Sequence, residues 1–152
     1  MPVTATPVQA TSGIVSDIRL FMRDFYDKNP LHADIEFTDE EITAACRHTA
    51  DLANAIGRPT SYTVAAFPNN YVLMLGAAGH LAKSEAIRQL RNQSQFQDGN
   101  IQGVGMDEKY QYYMQLSQSL TSEFSSHVSQ LKITSNIHIR GFRSPLSRSY
   151  SR

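Results

Sequence analysis

Residues 71–91 open with Tyr71, Val72, Leu73, Met74, Leu75, Gly76, Ala77, Ala78 and Gly79. They turn amphipathic only around Lys83, Glu85, Arg88 and Arg91. A helix that is apolar on most faces must be surrounded by other elements, so this segment predicts the central helix of a bundle. Gly76 and Gly79, followed by Ala82 and Ala86, remove side-chain bulk on adjacent turns and let another helix approach closely. These two glycines, with Phe124 from a later helix, are the expected packing contacts. A phosphate-binding reading of the Gly76/Gly79 pair fails, because no strand precedes it and no Lys-Ser/Thr follows in register.

Three further helices are expected around this one. The first runs from about residue 14 or 17 to 26, with Ile14, Ile18, Phe21, Met22 and Phe25 on one face and Asn29-Pro30 to stop it. The second starts at Thr38, where Thr38 and Glu41 form a capping box and Phe37 and Ile42 a hydrophobic staple. Asp39, Glu40 and Glu41 complement the positive end of its dipole. Gly57 and Pro59 end it. Asn69 or Asn70 caps the central helix. The fourth helix begins near Asp107, and Tyr110, Tyr113, Ser117, Leu120, Phe124, His127 and Leu131 recur at spacings of three and four, a seam facing the core. The fold class is mainly α: a four-helix-type bundle with a glycine-containing loop between helices 3 and 4 and extended arms at both ends. Residues 1–13 form the N-terminal arm, 14–132 the helical domain and 133–152 a basic C-terminal arm.

With 152 residues the chain can bury a single core unaided. Charged residues make up only 18%, and Ser, Gln, Asn and Thr fill the gap, which suits a surface covered by neighbours. The zero net charge is unevenly spread. Residues 1–56 hold nine acids and four bases, a net −5, and residues 124–152 hold five bases and no acid, a net +5. Such polarity suits head-to-tail contacts between copies or a basic tail on a phosphate backbone. The single cysteine, Cys46, rules out an internal disulfide framework and reads as a small buried side chain. The N-terminus has no secretory pattern, and no apolar run reaches the roughly 18–20 residues of a membrane span.

Catalytic and metal patterns are missing. His32, His48, His80, His127 and His138 form no cluster at metal spacing, and there is no nucleophile elbow, P-loop or dinucleotide fingerprint. No catalytic residue, metal or cofactor is expected, and function should lie in binding surfaces.

Two segments carry that expectation. Asp98, Gly99, Ile101, Gly103 and Gly105 form a pliable loop, either a functional projection or a plain connector. From residue 133 onward, Ile133, Ile137 and Ile139 lie in an apolar–polar alternation with Arg140, Phe142, Arg143 and Arg148. As an extended arm it could add as a strand to another protein's sheet edge, its arginines pairing with carboxylates.

The order of parts is distinctive: a Phe37-Thr-Asp-Glu-Glu-Ile42 capped helix, then the central helix with Leu73-Met-Leu-Gly76 and His80-Leu-Ala-Lys-Ser-Glu85, then a glycine-bearing loop. Asp107-Glu-Lys-Tyr110-Gln-Tyr-Tyr-Met and Lys132-Ile-Thr-Ser-Asn136-Ile-His-Ile139-Arg-Gly-Phe142 follow. This order resembles the helical head–tail adaptor (neck or head-completion) proteins of tailed bacteriophages, over roughly residues 37–142. The resemblance implies a ring, commonly of twelve copies, under the portal at the capsid vertex. C-terminal segments would grip the portal through Ile133, Ile137, Ile139, Arg140, Phe142, Arg143 and Arg148. The loop of Asp98, Gly99, Ile101, Gly103 and Gly105 would face a neighbouring subunit, the lumen or the next tail component, and DNA would pass through the centre. It further implies a location in the virion neck and assembly in the host cytoplasm; that no membrane partner and no enzymatic activity are expected follows from the missing spans and catalytic patterns. The alternatives are a helical nucleic-acid-binding module with a basic tail, for which Arg88 and Arg91 are the only close basic pair on the helices, and a regulator that dimerises through the 110–131 seam.

Overall fold

The computed structural model describes residues 8–25, 35–91 and 106–141, with side chains over 13–25, 35–91 and 109–136. Among them are four helices and no strand: α1 (Val8–Met22), α2 (Asp39–Ala55), α3 (Asn70–Arg91) and α4 (Met106–Gly141). α3 is the centre. It packs most extensively on α4 and also on α2 and α1, as its all-round apolarity requires. Val72, Leu73, Leu75, Gly76, Ala77, Ala78, Gly79, Leu81 and Ala82 are all buried. Ile18, Ile42, Phe124 and Val128 close over them. Each large apolar side chain buried in this way contributes about 1.5–3 kcal/mol.

The local signals of α2 act as the sequence indicates. Thr38 Oγ1 accepts from the Glu41 amide at 3.3 Å, and Glu41 Oε2 accepts from the Thr38 amide at 2.8 Å. Gly57, with φ of +63°, makes the left-handed exit. Asn69 Oδ1 caps α3 by accepting from the Tyr71 amide at 2.9 Å. Cys46 is buried, and burial pushes its thiol up to about 11.

Gly76 is where three helices meet. A Cβ there would overlap the Thr49 methyl on α2 and stand 2.9 Å from the Phe124 ring on α4. At Gly79 a Cβ would sit 3.0 Å from Thr121 Oγ1. The Gly79 carbonyl accepts from Ser117 Oγ at 2.9 Å. The seam on α4 faces inward, with Ser117, Leu120 and Phe124 buried and Tyr110, Tyr113, His127 and Leu131 half-buried.

Three expected boundaries shift. α1 begins at Val8, inside the stretch 1–13 expected to be extended; no glycine or proline lies between Val8 and Ser12 to bar a helix. α1 stops at Met22 rather than Tyr26. Arg23 takes a left-handed φ of 59°, and the amides of Arg23 and Asp24 bond back to the carbonyls of Leu20 and Arg19, a Schellman ending without glycine. The ending is locked from outside. The buried Asp24 carboxylate accepts from Arg19 at 2.9 Å and from the amides of Glu36 and Phe37 at 2.6 and 3.0 Å.

The third shift is the largest. Residues 133–141, expected to be extended, continue α4 as helix to Gly141. The spacing of Ile133 and Ile137 fits a helical period as well as an alternating one, and no glycine or proline intervenes before Gly141. Thr134 and Ser135 donate to the carbonyls of Gln130 and Leu131 at 3.0 and 2.9 Å, so their hydroxyls are satisfied within the helix.

Candidate functional site

α4 is much longer than its partner. Gly76 faces Phe124 and Gly79 faces Thr121, so the antiparallel register puts Asn70, the first residue of α3, opposite about residue 130. The rest of α4 overhangs α3 by about 16 Å, at 1.5 Å per residue.

The foot of this overhang is anchored by Lys132. Only 6% exposed, it crosses to the C-terminal end of α2. There its ammonium donates to the carbonyls of Ala53 and Ile56, both at 2.6 Å, and of Arg58 at 2.9 Å. The last carbonyls of a helix have no partner within it, and the negative end of the dipole favours a cation there. Lys132 meets both demands. Burial pulls its pKa below the ordinary value. One turn on, Asn136 Oδ1 accepts from the Arg58 guanidinium at 3.1 Å. Ile133, between them, is exposed.

Ile137, Ile139 and Arg140 belong to the last turns of the same helix, with side chains outside the described residues. Phe142, Arg143 and Arg148 lie wholly outside them, as does the loop of Asp98, Gly99, Ile101, Gly103 and Gly105. Of the proposed contact residues the structure therefore places the Ile133–Arg140 portion on one continuous helix. It brings Gly76, Gly79 and Phe124 together as packing residues.

A second feature was not foreseen. A groove of about 320 Å³ opens between α2 and α3, lined by Glu36, Glu41, His48, His80, Ser84, Glu85 and Arg88 among others. Glu85 is buried, and Arg88 Nε binds it at 2.7 Å while Gln89 also donates to it. Arg88 reaches on to Glu36 at 3.6 Å. Tyr113 of α4 lies near Glu36 and Glu85, and its pKa is raised, first by burial and then by those two carboxylates. This network ties the segment before α2 to α3 and α4. Beside it the His48 and His80 rings lie 6.1 Å apart, and the buried Nε2 of His80 has no hydrogen-bond partner. Burial, then His48 and Lys83, lower the His80 pKa.

Sequence reasoning missed Lys132 and the two histidines because their partners are distant in the chain. Glu85 carried a signal: it falls four residues after Leu81, on the buried face of α3, where a carboxylate needs a partner.

Among the described residues no group of three or more His, Cys, Asp or Glu side chains is arranged to hold a metal ion, and no helix is long and apolar enough to cross a membrane. The chain matches no family model, no curated protein and no solved structure.

Proposed function

We propose that this chain is a structural protein of the head–tail adaptor kind. Copies form a ring under a portal, join a DNA-filled capsid to its tail and leave a channel for DNA. The observation that carries the reading is α4. Its foot is fixed to α2 by Lys132, its end overhangs α3, and the sequence beyond that clamp contains four bases and no acid. A helical projection that leads into a basic stretch of sequence suits docking on an acidic protein surface. Because residues 133–141 are helical, the first part of that contact is a helix end laid against the portal rather than an added strand. Arg140, Arg143 and Arg148 supply groups able to pair with carboxylates.

The alternative, a nucleic-acid module, requires basic residues along the helices as well as in the tail. Here Lys132 is consumed internally, and Arg88 is engaged by Glu85 and Glu36.

The experiment is co-sedimentation with portal rings, comparing the full chain with one ending at Lys132. The shortened chain retains the α2 clamp and should keep its helical circular dichroism while losing portal binding. Equal binding by both chains would refute the role of the overhang. Duplex DNA binding without portal binding would favour the alternative.

A further inference from the structure

α4 has a second series of residues spaced like its inner seam but turned outward: Tyr112, Leu116, Ser119, Ser126, Gln130 and Ile133, all exposed. Tyr112 is 65% exposed, Leu116 44% and Ile133 59%. Glu123 completes the spacing and is the one acidic or basic side chain between Lys109 and Lys132, histidine aside. Even that charge is engaged, 3.4 Å from the Tyr71 hydroxyl and 3.6 Å from His127. A freely solvated surface carries roughly 25–35% charged residues. This face is about 32 Å long, and residues 110–131, on all sides of the helix, hold only that one charge.

Two small residues beside this face turn their hydroxyls back onto the helix. Ser125 and Ser129 donate to the carbonyls of Thr121 and Ser125, both at 2.9 Å. Their donors are satisfied within the helix. What remains is a low surface with one carboxylate, Glu123, at its centre and large apolar side chains toward its two ends.

We infer that this outer face of α4 is where a second copy of the chain packs. The choice of occupant follows from charge. A phosphate backbone needs Lys or Arg, and the face has none between its ends. A strongly charged protein segment would lose hydration opposite groups that cannot pair with it. A second copy can bury Tyr112, Leu116 and Ile133 against like side chains while Glu123 keeps its contacts to Tyr71 and His127, and the spacing of three and four is that of helices crossing at a shallow angle. The inference rests on the ring-forming reading and narrows it to one face.

The test is sedimentation velocity of the full chain from low micromolar to several hundred micromolar. The wild type is compared with Ser119→Glu/Ser126→Glu and with Tyr112→Glu, each checked for unchanged helical circular dichroism. Arg47→Glu, on the exposed side of α2, is the control for a change of charge elsewhere. Self-association of the wild type and the control, weakened at least tenfold in both face variants, is the expected result. A wild type that stays monomeric throughout, or face variants that associate as tightly as it does, would overturn the inference. So would a face that retards duplex DNA without self-association. Portal binding is scored separately: if it survives when self-association is absent, this inference fails and the adaptor reading stands; the reverse pattern counts against the adaptor reading alone.

Discussion

Replacing Lys132 with methionine keeps most of the apolar stem and removes only the ammonium. Three carbonyls, those of Ala53, Ile56 and Arg58, then lose their donor. Hydrogen bonds to a charged group contribute about 1.5–3 kcal/mol each, and a cation at a partly buried helix C-terminus adds up to about 2 kcal/mol. Against these stands the cost of burying the ammonium, visible in its lowered pKa. Because that cost also disappears in the variant, the net loss expected is about 2–4 kcal/mol. For a chain of this size each kcal/mol shifts Tm by about 2–4 °C, so Lys132→Met should melt about 5–15 °C below the parent. Thermal unfolding followed by far-ultraviolet circular dichroism reads this directly. The same side chain predicts a pH effect. Between its lowered folded-state pKa and the ordinary 10.5, the unfolded chain holds more protons, so this group's contribution to stability rises with pH across that window. The methionine variant should lack that increment. A variant melting within about 2 °C of the parent would refute the clamp, because it would mean the carbonyls are satisfied equally well without Lys132.

Gly76→Ala should destabilise by about 1–2 kcal/mol, since overpacking against Thr49 and Phe124 outweighs the helix propensity gained. Gly79→Ala, which meets only the Thr121 hydroxyl closely, should stay within about 1 kcal/mol of the parent; chemical denaturation of both variants checks the contrast. His80 predicts acid sensitivity. Its folded pKa lies below 6.5, so stability present above that pH is lost as pH falls through the folded value. Tm measured from neutral to mildly acidic pH should fall less steeply in His80→Leu than in the parent, and parallel slopes would count against His80 as the cause.

The parts of the fold that were legible in the sequence are those decided locally. The capping box of Thr38 and Glu41, the Gly57 exit and the all-round apolarity of α3 each act within a few residues, and each appears where expected. The end of α1 was not legible, because Arg23 takes a backbone conformation that sequence rules reserve mainly for glycine. What imposes it is Asp24, gripped by amides more than ten residues away. The stretch after Lys132 misled because Ile133 and Ile137 satisfy both periods, while Ile139 fits only the alternating one. Lys132 itself counted toward a basic arm, yet its three acceptors lie more than seventy residues back in the chain. Of the candidate site, the packing residues Gly76, Gly79 and Phe124 could be read from missing side-chain volume. The outward face of α4 could not, because its low charge matters only once the helix is known to run unbroken past it.

Electron microscopy of the purified protein mixed with portal rings from the same source, with the protein alone as control, decides whether this chain forms a ring on a portal. The expected image is an added ring of density on the portal, with α4 ends meeting the portal surface and copies in contact along their outer α4 faces. Portals that remain bare, while the protein retards duplex DNA in a salt-sensitive manner, would contradict it.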